Sequence, residues 1–291
     1  MPEKITIHTL AEKKALGEKI TSVTTYDYPS ALLADRAGID VALVGDSVSM
    51  AVAGRENTLA ATIDEMIYHT RAVRRGITRA LLVADMPFGS YHISEADAVG
   101  NAVRLVKEGG AEAVKLEGGQ RQAPLVERLA RSEIPVMGHI GLTPQSVNVL
   151  GGYRVQGKTL EAGRELLEDA RALAAAGAFA LVLEGIPREI AAWITAETSV
   201  PTIGIGAGPD CDGQVLVWHD LLGLHFGHTA KFVRRYADLA GEIERALERY
   251  VRDVRGGSFP SDSESYHLPE AERQRLALEL EKATPATSGT R

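Results

Sequence analysis

The chain has little cysteine, no long apolar run, no surplus of positive charge and no His or Cys pair read as having zinc-ligand spacing, and each shortage removes a class of protein. One cysteine, Cys211, stands among 291 residues, so no intrachain disulfide can form and the composition suits a reducing compartment. No paired histidine stands near Cys211 to make it a nucleophile, so it reads as a small packed residue. No stretch approaches a membrane span, and the opening MPEKITIHTLAEKKA carries acids and lacks the apolar core of a secretory leader. A cytoplasmic protein with no membrane partner is expected. The formal net charge of -7 gives no electrostatic footprint for a phosphate backbone, so no nucleic-acid partner is expected. His69, His92, His219, His225 and His228 are scattered and read as packing or surface residues, and no His or Cys pair has zinc-ligand spacing.

What is present is a soluble, core-forming composition, 45% hydrophobic and 24% charged, in which apolar runs alternate with helical patterns. The most informative stretch is Asp40 to Met50, DVALVGDSVSM, where a short run of Val, Ala and Leu ends abruptly in Gly45, Asp46 and Ser47. Uninterrupted by polar residues and too short for a helix, the run reads as a strand buried on both faces. The same pattern recurs. ITSVTTY ends at Asp27, ALLVAD at Asp85, EAVKLEGG at Glu117, IPVMGHIGL around His139, AFALVLEGIP at Glu184, and VPTIGIGAG in glycines, each preceded by a helical segment. An eighth strand is weakly written near Leu222 to Phe226, and a last amphipathic helix covers about Tyr236 to Val254. Alternation of this kind predicts parallel strands with right-handed crossovers closing into a (β/α)8 TIM barrel. An open doubly wound sheet would put a Gly-rich nucleotide turn after the first strand, where the chain has TTYDYPS. One barrel domain with an N-terminal helix is expected over 1–256. A polar tail follows over 257–291, with at most a transient helix from Glu270 to Lys282.

A barrel brings its strand C-termini to one face, so Asp27, Asp46, Ser47, Asp85, Lys115, Glu117, His139 and Glu184 are expected to meet there. Several acids pressed together repel one another unless a cation sits among them, and Mg²⁺ suits carboxylate and water oxygens. Asp46, Asp85 and Glu117 are the candidate ligands. Lys115 lies two residues before Glu117, so both side chains share a strand face; it can neutralise an anionic substrate, form a Schiff base or pair with an acid. Glu184 follows an apolar run that suits a proton acceptor. The glycines of GIGAG, 204–208, either nest an anion or let the chain pass close across the barrel mouth.

Beyond these single residues, TTYDYPSALLAD, VGDSVSM, YHTRAVRRG, ADMPFGSY, AVKLEGG, GHIGLTPQSVNVLGGYRVQG, LVLEGIP, IGIGAG and DGQVLVWHDLLGL together resemble the ketopantoate hydroxymethyltransferase family from Thr24 to about Pro260. The resemblance implies a barrel of the phosphoenolpyruvate/pyruvate type. It also implies transfer of a hydroxymethyl group from 5,10-methylenetetrahydrofolate to 3-methyl-2-oxobutanoate through a Mg-stabilised enolate, giving 2-dehydropantoate in pantothenate biosynthesis. By that likeness one Mg²⁺ per subunit is held by Asp46, Asp85 and Glu117, directly or through water. Asp46, Ser47, Asp85, Lys115 and His139 meet the keto acid, Glu184 is the proton acceptor, and the subunits form a homo-oligomer, commonly a decamer. A metal-dependent lyase or mutase acting on another 2-oxo acid would use the same strand ends, and so would a noncatalytic barrel that binds a small acid.

Overall fold

The computed structural model describes residues 3–227 and 229–283; His228 and the end of the polar tail lie outside them. Eight parallel strands close on themselves in chain order: β1 (Ile20–Thr24), β2 (Val41–Val44), β3 (Leu81–Asp85), β4 (Ala113–Glu117), β5 (Val136–Gly141), β6 (Ala180–Glu184), β7 (Thr202–Ile205) and β8 (Gly213–Leu216), with β8 returning to β1. The main helices of the barrel unit are α1 (Ile7–Leu16), α2 (Tyr28–Arg36), α3 (Ile63–Arg74), α4 (Glu95–Arg104), α5 (Ala123–Arg131), α6 (Leu160–Ala175) and α7 (Arg188–Glu197). Their starts are written locally: Asp27, Thr62, Ser94 and Thr159 each accept a backbone N–H of the first turn, which satisfies donors that have no partner inside the helix. This compact unit runs to Asp238, and a second begins at Leu239. The second unit holds α8 (Leu239–Arg255) and α9 (Glu270–Ala283). Among the described residues no helix is long and apolar enough to cross a membrane.

The eighth strand is a correction. Leu222 to Phe226 is the end of a short helix, Trp218–Leu222, and the loop after it, while the strand itself is Gly213–Leu216. No helix separates β7 from β8; a loop over 206–212 carries the chain directly between them. The alternation of helix with strand therefore gave no cue there, and a four-residue strand with exposed Gln214 in it has little apolar signature.

Two buried layers follow from the period-two geometry of strands. Ile20, Val41, Leu43, Leu81, Val83, Ala113, Met137, Ala180, Val182, Ile203 and Val215 fill the barrel interior, closed from the N-terminal side by Ile5 and Leu10. Their neighbours Ala42, Val44, Leu82, Ala84, Leu116, Ile140, Leu181 and Leu183 point outward into the helix layer, against residues such as Met66, Leu129 and Leu173. On this alternation Asp85, Lys115, Glu117, His139 and Glu184 share the inward phase. They form its uppermost layer, where the apolar filling stops.

The lower side of the barrel is tied by Asp35 near the end of α2. Its carboxylate accepts the backbone N–H groups of Thr78, Arg79 and Ala80 and the Thr78 hydroxyl at 2.6–3.2 Å, which fixes the entry into β3. Burial alone would raise this carboxyl's pKa; the donors from Ala80, Thr78 and Arg79 outweigh it and hold it below the ordinary value. Asp35→Ala should cost roughly 3 kcal/mol at neutral pH, the scale of hydrogen bonds to a charged group, measured by urea unfolding. Because the folded carboxyl titrates low, the wild-type advantage is present above the unfolded pKa of about 3.9 and fades as pH falls through the folded value. An unchanged midpoint in the variant would remove Asp35 from this role.

Candidate active site

The mouth of the barrel at the strand C-termini opens into a cavity of about 820 Å³ whose lining includes Asp46, Ser47, Asp85, Lys115, Glu117, His139 and Glu184. Seven of the eight expected residues therefore converge. Asp27 does not join them: it is exposed and caps α2, accepting the Ser30 N–H at 2.8 Å. The glycines of 204–208 serve close passage, since a Cβ on Gly206 would meet the Phe232 ring at 2.6 Å and one on Gly208 would meet Arg188 at 2.4 Å. Gly45 has a similar reason to lack a side chain, because a Cβ there would stand 2.7 Å from Ser47 Oγ. Cys211 is buried, and burial pushes its thiol pKa up, as suits a packed residue.

Asp46, Asp85, Lys115, Glu117 and His139 are each no more than 5% exposed. Asp85 Oδ2 accepts the Asp46 backbone N–H at 3.0 Å. Lys115 Nζ is 3.1 Å from Asp85 Oδ1, close enough to pair but without hydrogen-bond alignment, so Oδ1 is a buried oxygen with no aligned donor. His139 sits between carboxylates, with Nδ1 3.5 Å from Glu117 Oε1 and Nε2 3.3 Å from Glu184 Oε2. Nδ1 also lies 3.3 Å from Lys115 Nζ. The Nε2 contact is again an approach of charges without hydrogen-bond alignment.

These neighbours pull the titrations apart. Burial and the charges of Asp85 and Glu117 raise the Asp46 pKa well above its ordinary value. Burial also raises Asp85, despite Lys115 beside it. Burial would lower Lys115, but the charges of Asp85, Glu117 and Asp46 turn the shift upward. Glu117 ends below its ordinary value because His139, Lys115 and the Gln145 N–H outweigh its burial. Four carboxylates thus face two cationic side chains. That imbalance, with Asp85 Oδ1 facing Lys115 but lacking an aligned hydrogen-bond donor, fits a hard divalent cation at Asp46 and Asp85. Among the described residues no three of His, Cys, Asp and Glu form a group able to hold an ion by themselves, so other oxygens, from water or substrate, would complete the coordination.

Three further residues at the site carried no signal of their own in the sequence. Tyr26, just past β1, shares a hydrogen bond with Ser47 Oγ at 2.9 Å, and Tyr91 and Gln145 form a buried pair at 2.6 Å. Each stands in a loop beyond a strand end, in TTYDY, GSYHIS and TPQS. A neutral aromatic hydroxyl or amide in a loop looks like any other until its partners are known. His219 and His225 line the outer cavity, and His219 stacks beside Tyr26 with ring centroids 5.6 Å apart.

Residues 4–262 match the family model for ketopantoate hydroxymethyltransferase. The chain is 58% identical over 275 residues to 3-methyl-2-oxobutanoate hydroxymethyltransferase of Koribacter versatilis, covering 94% of this chain and 93% of that one. It is 54% identical over 266 residues to the protein of the same name from Carboxydothermus hydrogenoformans, covering 91% and 96%. Among solved structures it resembles phosphonopyruvate hydrolase in complex with oxalate and Mg²⁺ (TM-score 0.58, 13% identity, 97% and 98% covered) and 2,3-dimethylmalate lyase, a member of the PEP mutase/isocitrate lyase superfamily (TM-score 0.57, 16% identity, 99% and 100% covered). At that identity the structures speak for the fold alone.

The His139 environment has a thermodynamic signature. Burial and the Lys115 charge would lower its pKa, yet Glu117 and Glu184 raise it to about 9. A raised folded value means that the stabilisation is full below the unfolded pKa of about 6.5 and is lost as pH rises through about 9. Metal-free protein should lose on the order of 3 kcal/mol from this group over that window. His139→Asn should flatten that part of the slope in denaturant unfolding, and an equally steep decline in the variant would contradict the assignment.

Proposed function

Because the chain belongs to the ketopantoate hydroxymethyltransferase family, we propose that it converts 3-methyl-2-oxobutanoate, 5,10-methylenetetrahydrofolate and water into 2-dehydropantoate and tetrahydrofolate, as a step of pantothenate biosynthesis. The observation that carries this reading is the convergence, at one barrel mouth, of two adjacent carboxylates short of positive charge with a lysine, a histidine and a third carboxylate, Glu184, across from them. Asp46 and Asp85 would hold Mg²⁺. Glu117, whose Oε2 is taken by the Gln145 N–H at 2.9 Å, would reach the ion through water. When bound, the ion supplies Lewis acidity toward the oxygens of the 2-oxo acid.

The remaining work falls to side chains. Lys115 Nζ lies among the acids as a fixed cation and offsets negative charge that grows on the substrate during proton loss. Ser47, paired with Tyr26, offers a hydroxyl to the keto acid. Glu184 keeps 16% of its side chain exposed to the cavity and takes the proton from C3. His139 stands beside it and keeps the acceptor in place. The carbanion bonds to the one-carbon unit, whose two C–N bonds to the folate break; water supplies the hydroxyl oxygen, and the hydrogens lost from C3 and from water become the two N–H hydrogens gained by tetrahydrofolate. A cavity of about 820 Å³ far exceeds so small a keto acid, and its outer wall, with Met50, Val52, Tyr153 and Phe232, leaves room for a flat aromatic donor. A cytoplasmic location and a homo-oligomer, commonly a decamer, belong to the same proposal, and solution mass measurement tests the assembly.

Incubating the Mg²⁺-loaded protein with both substrates should form ketopantoate, and no product from folded, metal-loaded protein would sink the reading. Exchange of the C3 hydrogen in D₂O separates proton removal from the folate step. Glu184→Gln should retain metal and keto acid binding while exchange falls about 10²- to 10⁴-fold, the usual worth of a positioned base. Full exchange in that variant would take Glu184 out of the mechanism. Asp85→Ala should weaken Mg²⁺ binding in a calorimetric titration, and unchanged affinity would argue against its ligand role.

A further inference from the structure

Gln145, in the loop after β5, is 5% exposed and touches the ends of three other strands. Its backbone N–H donates to Glu117 Oε2 at 2.9 Å. Its side-chain Nε2 donates to Asp46 Oδ2 at 2.8 Å and to the Met86 carbonyl at 3.0 Å. The Tyr91 hydroxyl donates to its Oε1 at 2.6 Å.

The orientation of that amide follows from its partners. A backbone carbonyl such as that of Met86 only accepts, so the NH₂ end must face it. The second hydrogen of the NH₂ then points at Asp46 Oδ2, and Oε1 is left for Tyr91. Tyr91 itself accepts the Glu117 N–H at 3.2 Å, which leaves its single hydrogen for Oε1 in preference to the longer 3.5 Å approach to the Glu117 carbonyl. Every side-chain donor of Gln145 is used, so it has no hydrogen to give a substrate.

We propose that Gln145, locked by Tyr91, is a positioning residue that makes Asp46 a one-oxygen ligand. The amide occupies Oδ2, Oδ1 is presented to the cation, and the Gln145 backbone restrains Glu117 through Oε2. This inference rests on the divalent-metal part of the proposed function. Its chemical consequence is selectivity: Mg²⁺ demands near-octahedral coordination at short distance, whereas the larger Ca²⁺ accepts carboxylates through both oxygens. An Asp46 denied its second oxygen favours the smaller ion.

The test is calorimetric titration of metal-free protein with Mg²⁺ and with Ca²⁺, beside circular dichroism and thermal unfolding. Gln145→Leu should weaken Mg²⁺ binding about 10- to 100-fold, the usual effect of losing a residue that orients a metal ligand. It should weaken Ca²⁺ binding less, so that the preference between the ions narrows. Tyr91→Phe keeps the ring and removes the hydroxyl; it should shift both affinities in the same direction by a smaller factor. A role in packing alone would lower the melting temperature and leave Mg²⁺ affinity and the ion preference where they were, and that result in folded Gln145→Leu overturns the inference. An equal loss for both ions overturns it as well. Should Gln145→Leu fail to fold, Tyr91→Phe decides, and wild-type Mg²⁺ affinity in that variant is the overturning result. Wild-type protein that binds no Mg²⁺ would bring down the metal reading and this inference together, whereas loss of selectivity without loss of ketopantoate formation bears only on Gln145.

Discussion

Buried like charge is the constraint around which this barrel is arranged. Asp46, Asp85 and Glu117 are each buried at the floor of the cavity, and that burial raises the cost of keeping the carboxylates ionised. Lys115 and His139 offset part of that cost, and the Asp46 N–H and the Gln145 donors satisfy particular oxygens. What is left over is negative charge concentrated on the Asp46 and Asp85 side. A small hard cation placed there would relieve repulsion that folding has already imposed. The same repulsion gives the Gln145 amide its weight: with both of its hydrogens engaged it satisfies Asp46 Oδ2 and adds no uncompensated group beside the buried acids.

The barrel supplies this cluster through its geometry. Inward-facing positions on β3 to β6 are apolar until the last turn of each strand, where they become Asp85, Lys115 and Glu117, His139, and Glu184. Strand register then decides who meets whom: Asp85 lies opposite Lys115, and Glu117 opposite His139. Charges of opposite sign thus alternate around the mouth, and Glu184 closes the series from β6. Rigid strands hold these groups, while the loops beyond them contribute the neutral partners Tyr26, Tyr91 and Gln145. The division is physically reasonable. A charge placed on a strand cannot relax away from its neighbours, and a loop residue can adapt to hold it there.

Most of the barrel was legible in the chain because helices and strands have different hydrophobic periods, and a βα unit repeats both. Val41–Val44, Leu81–Asp85 and Ala180–Glu184 could be read almost to the residue from apolar runs that stop at an acid. The eighth strand could not, since its predecessor is a loop and its four residues include a glycine and an exposed glutamine. Asp27 shows the opposite limit. It ends an apolar run just as Asp85 does, yet it caps α2 outside the cavity, and only the direction of the chain after the strand separates the two cases.

Composition, period and strand-end acids determined by themselves that this chain builds a parallel barrel with ionisable groups on one face, because those properties depend on residues close in sequence. Which acids are paired, which oxygen is left without a donor, and which neutral side chains hold them depended on groups far apart in the chain, as in the contact between Asp46 and Gln145. Hydrogen bonds and charge interactions fall off within a few ångströms, so their pattern exists only once barrel closure has set the distances. Tertiary structure therefore decided the electrostatics of the site, from a list of residues that the sequence had already supplied.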